Sequence, residues 1–214
     1  MDGNYDDEFS KIALCVTAAQ LAKSTAVKDE GIGEDLTMNF FGWVGGELAI
    51  VCQMRSELMK WPIEARLEKC AQLCSVLRRY WWTTSISMVA EGYYSSNQKK
   101  TKNKELSTVF LDPNGVVGEC VTVTHVSNEE PAKSGGKIDL TMVAVPYKYT
   151  LGRGVEWGEM IVYPQGPDEH LRNPKFPTML KRALSEKMVD DLPPESYDEL
   201  RILIKSNGFH LQEF

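Results

Sequence analysis

A chain of 214 residues, 43% hydrophobic and 25% charged, can bury roughly 70% of the surface its unfolded form exposes, so one core suffices without staples. Its 24 Lys+Arg against 30 Asp+Glu leave a net charge of −6, which argues against broad, sequence-indifferent attraction to nucleic acid. Five cysteines, an odd number set mostly in apolar runs, read as reduced thiols packed as small hydrophobes, and so point to a reducing, cytoplasmic setting.

The start, Met1-Asp2-Gly3-Asn4-Tyr5-Asp6-Asp7-Glu8, is acidic where a secretory signal is basic, and no apolar stretch approaches the ~18 residues of a membrane helix. No membrane partner is expected. From Asp7 to Ala22, Phe9, Ile12, Val16 and Ala19 recur at three- and four-residue spacing, which predicts a first helix. Residues 26–35 read as a loop, and 37–43 are apolar but too short to choose between helix and strand. Gly45-Gly46 introduces Glu47–Met54, a run with β-branched residues that predicts a buried strand. Pro62 suits the first turn of a helix running to Arg79, whose Ile63, Leu67, Cys70, Cys74 and Leu77 share one stripe.

Thr84–Tyr94 alternates, with Ile86, Met88 and Ala90 opposite Ser85, Ser87 and Glu91, the period of a half-covered strand. Asp112-Pro113-Asn114-Gly115 is turn chemistry, and Gly118–Val126 is the next strand. Lys137–Tyr149 and Val155–Tyr163 flank Leu151-Gly152-Arg153-Gly154 and should form a hairpin. Beyond it Pro164, Pro167, Pro174 and Pro177 interrupt regular structure. Thr178 then caps a helix to about Val189, and a shorter helix spans Glu195–Lys205, closed by Asn207-Gly208.

This order favours an α+β fold: a mainly antiparallel sheet of four to five strands with helices on one face. Residues 1–163 would be the core, and 164–214 a Pro-rich linker and C-terminal helical extension of the same domain. Whether those helices dock on their own core or on a second copy is left open by the pattern.

Zinc needs converging ligands, and the one close pair, Cys70 and Cys74, sits at helical i,i+4 spacing without a second pair, so no metal is expected. Gly31-Ile32-Gly33 and Gly152-Arg153-Gly154 are too short for a phosphate cradle. No hydrolase elbow, zincin, kinase or deaminase signature occurs, and no cofactor is expected.

Glu119, Val121, Val123 and His125 share one side of a strand, but Glu119 and His125 stand about 20 Å apart. Catalysis would need either paired with Glu91 from a neighbouring strand. Lys99, Lys100, Lys102 and Lys104 put four positive charges in six residues, enough to contact phosphates, and Tyr93 and Tyr94 before them could stack on bases. Arg153 is a candidate anion contact, and Trp81, Trp82 and Trp157 are candidate interface residues, though core packing is the commoner fate of tryptophan.

Between Ile86 and Glu159, Val89-Ala90-Glu91-Gly92-Tyr93-Tyr94, Gly118-Glu119-Cys120-Val121-Thr122-Val123, Val145-Pro146-Tyr147-Lys148 and Trp157-Gly158-Glu159 follow an order that resembles short uncharacterised proteins encoded by bacteriophages and prophages. The resemblance implies no reaction or ligand, only an accessory or host-interaction role. Three readings follow. The first is a non-catalytic protein that binds a host protein, a small ligand or its own copy. The second is a small hydrolase or nuclease using Glu91, Glu119 and His125, with Lys148 or Arg153 holding an anion. The third is a virion or assembly component.

Overall fold

The computed structural model describes residues 3–29, 38–94, 118–128, 138–150, 154–163, 175–189 and 193–214. The lysine loop 99–104, Arg153, the turn at 112–115 and Pro164, Pro167 and Pro174 lie outside them.

Helix α1 spans Gly3–Asp29, longer than its apolar spacing predicts. It buries Lys11, Cys15, Ala18, Ala19, Ala22 and Lys23, a stripe one position off the predicted one. Ile12 and Val16 are half-buried at its margin. Small side chains let the helix lie close on the sheet, with Lys11 and Lys23 at the two ends of the described part of the stripe. Strands β1 (Asn39–Val44) and β2 (Glu47–Met54) form a hairpin. Its turn, Gly45-Gly46, has φ of 59° and 89°, the doubly positive geometry that glycine adopts without cost. Thus 39–43, open in the sequence, is strand.

A four-residue α2 (Ser56–Met59) leads into α3 (Ile63–Tyr80), for which Pro62 is the capping residue. Cys70, Cys74 and Leu77 are buried on the predicted stripe. Then come β3 (Ser85–Tyr94), β4 (Gly118–Asn128) and β5 (Ile138–Thr150). The predicted last strand is two, β6 (Gly154–Trp157) and β7 (Ile161–Tyr163), broken by Gly158-Glu159-Met160. Helix α4 runs Lys175–Leu184 with Thr178 inside it rather than capping it, because Pro177 is tolerated in the first turn. Helix α5 (Pro194–Ser206) is followed by an unforeseen strand, β8 (Phe209–Glu213).

The eight strands form one antiparallel sheet in the order β6-β5-β4-β3-β1-β2-β8, with β7 also on β5. The fold is therefore α+β with an antiparallel sheet, but with eight strands among the described residues rather than four to five. Helices cover both faces, not one. On one face α3, α4 and α5 pack over Phe40, Ile50, Cys52, Met54, Ile86, Met88 and Val126. On the other, α1 packs over Phe41, Trp43, Val89, Val121, Val123, Val143 and Val145. The alternation of β3 misled for this reason: Ser85 and Ser87 are small and polar, yet both are buried under the second layer.

The C-terminal segment docks on its own chain. Arg78, buried to 1% exposure, donates to the carbonyls of Glu186 and Thr83 at 3.1 and 2.9 Å, and its pKa is lowered by burial. Asn128 donates to the Leu184 carbonyl, and the Trp82 indole N–H to that of Val189. Trp82 is 47% exposed, against the expectation of core packing, since its backbone φ of 53° turns the chain sharply into β3. Trp81 is half-buried, edge-on to Tyr197 at 5.7 Å, with its N–H on Glu213.

Candidate functional site

Antiparallel pairing sets Glu91 of β3 opposite Val121, and Glu119 of β4 opposite both Tyr93 and Tyr147. Side chains of 91, 119 and 147 therefore project from the α1 face near one end of the sheet. Tyr147 donates its phenol to Glu91 at 2.7 Å. Lys23 of α1 comes down on the pair, ion-paired with Glu91, 3.2 Å from the Tyr147 oxygen and 4.4 Å from its ring centre. Burial, then the carboxylates of Glu91 and Glu119, raise the Tyr147 pKa. The phenol stays protonated and donates to Glu91, so it is not poised to act as a base near neutrality. Trp157 of β6 stands opposite Tyr147 in the ladder, ring centres 6.1 Å apart in an edge contact.

His125 is elsewhere. It pairs with Ser87, four residues along β3 from Glu91, about 13 Å away at the rise of a strand. It is 1% exposed, with Nδ1 2.8 Å from Ser87 Oγ. Ser87 Oγ in turn accepts the Trp43 indole N–H at 2.9 Å. Ser87 Oγ thus stands between the Trp43 indole N–H and the His125 ring, giving a buried polar chain of Trp43, Ser87 and His125. A serine and imidazole in contact suggest a nucleophile and its base. Here both lie under α1's layer, at 0% and 1% exposure, where no substrate carbonyl can approach.

The structure thus brings Glu91 and Glu119 to one cluster and leaves His125 in another. Tyr93 and Tyr94 lie on β3; Lys99, Lys100, Lys102, Lys104 and Arg153 fall outside the described residues. Lys148 is exposed on β5. A third buried polar contact, Lys11 to Asp139 at 2.8 Å, ties the first half of α1 to β5. Sequence reasoning missed Lys11, Lys23 and Asp139 as a set. The available signal was phase: Lys11 and Lys23 fall in register with Cys15, Ala18, Ala19 and Ala22, and a lysine on a buried stripe demands a carboxylate.

The five thiols are free and buried. Burial pushes Cys15 and Cys70 up to about 12 and Cys120 to about 11, which makes them poor nucleophiles. Among the described residues no group of three or more His, Cys, Asp or Glu could hold a metal ion, and no helix is long and apolar enough to cross a membrane. Beside α1, whose packing centres on β3, β4 and β5, the β1-β2-β8 end of the same sheet face forms an open cleft of about 340 Å³. Its walls include Leu21, Phe41, Leu48 and Val51, with His210 and Gln212 of β8 at the rim.

Fold and clusters together define an α+β protein built as an antiparallel sheet between two helical layers. No family model matches the chain, and neither does any curated protein or solved structure.

Proposed function

We propose that the chain is a non-catalytic binding protein, a phage-encoded accessory that engages a host protein or small ligand through the cleft beside α1. The observation that carries this reading is the closure of Glu91. Its carboxylate is occupied by Lys23 and Tyr147, while His125, about 13 Å away, is bonded to Ser87. A hydrolase needs acid and base within reach of one reacting atom. Lys23, Glu91 and Tyr147 instead tie α1 to the sheet, and Ser87 and His125 bond β3 to β4. The cleft has the mixture binding surfaces use, an apolar floor with a few polar groups at the rim.

Capture from a lysate with mass analysis of protein and small-molecule partners tests the reading. A partner retained by the wild-type chain and lost with Val51→Lys, which puts a charge into the half-buried cleft floor, is the expected result. Hydrolysis of nucleotides or nucleic acid that is lost in a folded Glu91→Gln variant would overturn it.

A further inference from the structure

The strand ladders give the cleft beside α1 an internal order. On that face β1, β2 and β8 lie side by side, so residues paired across them stand in rows, about 5 Å from strand to strand. One row is Asn39, Gln53 and His210, every member an amide or an imidazole. The next is Phe41, Val51 and Gln212. Beyond it Leu48 continues the floor on β2, and Phe214, whose N–H is bonded to the Ala49 carbonyl, continues it on β8. The floor is therefore polar at one end and apolar at the other, and the change runs along the strands.

Burial grades the polar row: Asn39 is 5% exposed, Gln53 half-buried, and His210 open at the rim. A carboxamide has two donors and an acceptor with two lone pairs, so Gln53 and Gln212 can bond within the sheet and still meet a ligand. Among the described residues that line the cleft there is no lysine or arginine to meet an anion and no carboxylate to meet a cation. A charge seated against half-buried Val51 and Leu48 without a partner would be costly. The volume, about 340 Å³, is that of a small-molecule site. From Gln53 to Leu48 the floor runs about 16 Å at the rise of a strand, room for a short chain beyond a polar head.

We infer that the cleft takes a small uncharged ligand with an amide-type head and a short apolar tail. The head bonds to Gln53, His210 and Gln212, and the tail lies over Val51 toward Leu48 and Phe214. This rests on the reading of the cleft as the binding site and narrows its occupant to one ligand class.

The test is a titration of the full chain at pH 8 with N-hexanoylglycinamide, followed through the amide and methyl resonances of isotope-labelled protein. With about twelve non-hydrogen atoms, the probe should bind with a Kd on the order of millimolar and move the side-chain signals of Gln53, Gln212, Val51 and Leu48 together. N-butanoylglycinamide, two CH₂ groups shorter, should bind several-fold more weakly, up to about fifteenfold if both groups are fully buried. The carboxylate N-hexanoylglycine should bind about tenfold more weakly than the amide, or worse. Gln212→Lys, at an exposed position, puts a cation beside the head and should narrow that gap about threefold or more. No saturable binding below about 20 mM, equal binding of amide and acid, or shifts confined to residues outside the cleft would each overturn the inference. If neither amide binds but a lysate partner is still lost with Val51→Lys, only the ligand class is wrong. If that partner is retained by Val51→Lys and the amides also fail, the cleft itself is not the site.

Discussion

Replacing Glu91 by glutamine keeps the shape of the side chain and an oxygen for the Tyr147 phenol, but leaves the Lys23 ammonium without its counter-charge. The side chains of Lys23 and Glu91 are 9% and 16% exposed, so neither is well hydrated. Breaking a fully buried pair costs about 3–5 kcal/mol, since one ion stays desolvated and uncompensated. Lys23 has a flexible stem near the margin of the sheet and recovers part of that by reaching water, which brings the expected loss to roughly 2–3 kcal/mol. For a chain of this size that lowers Tm by about 4–12 °C.

The assay is urea unfolding followed by circular dichroism, run as a cycle of Lys23→Met, Glu91→Gln and both together. Each single change should be costly. The pair should cost less than the sum, with a coupling of roughly 1–3 kcal/mol, because the double variant buries no lone charge. If Glu91→Gln shifts stability by less than about 0.5 kcal/mol and the cycle shows no coupling, the contact does not hold α1 to the sheet. The carboxylate would then be available for chemistry after all.

The Tyr147 phenol is held protonated in the fold by burial and by Glu91, so it contributes stability below the unfolded tyrosine value near ~10 and loses it as pH rises through the folded value. Tm measured from pH 8 to 11 should therefore fall more steeply above about pH 10 in the wild-type chain than in Tyr147→Phe. The thiols behave alike from a lower onset, because the raised pKa values of Cys15, Cys70 and Cys120 exceed the unfolded value near ~8.5. Labelling with a thiol reagent at pH 8 should accordingly find none of the five cysteines in the native chain and all of them in urea. Gly208 has φ of 91°, and an added Cβ would lie 2.5 Å from a Leu58 methyl. Gly208→Ala should cost about 1–3 kcal/mol and expose the β2–β8 amides to faster exchange. Trp43→Phe deletes the donor to Ser87 inside a sealed layer and should cost about 1–3 kcal/mol in urea unfolding.

What the sequence made legible follows from how many faces each element buries. Helix α3 covers one side of the sheet and leaves the other to water, so its stripe was readable and its ends fell within a residue of expectation. Strand β2, bounded by Gly45-Gly46 and rich in β-branched residues, was placed residue for residue. Strand β3 was located but misread in kind. A period-two pattern of large and small residues means a solvated face only when the small residues are wet, and Ser85 and Ser87 are both buried, with Ser87 bonded to His125 and Trp43. Strand β8 was missed because Phe-His-Leu-Gln-Glu is too short and too polar to announce itself. It is strand because β2 offers it an edge and Gly208 turns the chain back onto that edge, neither of which is local information.

The same distinction governs the site. Glu91, Glu119 and His125 were singled out as polar residues on strands, which is sound only if a strand's polar side is its open side. Once α1 is laid across β3, β4 and β5, a buried acid must be neutralised from the helix above it, and the residue that does so has to interrupt that helix's apolar stripe. Lys11 and Lys23 are those interruptions, twelve residues apart, about 18 Å along the helix axis, one meeting Asp139 and the other Glu91. Charges that looked like spare chemistry on separate elements are complementary halves of contacts that set the position of α1. Moving the positive half one residue along the helix, as in Lys23→Ala with Ala22→Lys, should strand it about 100° around the helix and fail to restore the stability lost by Lys23→Ala alone.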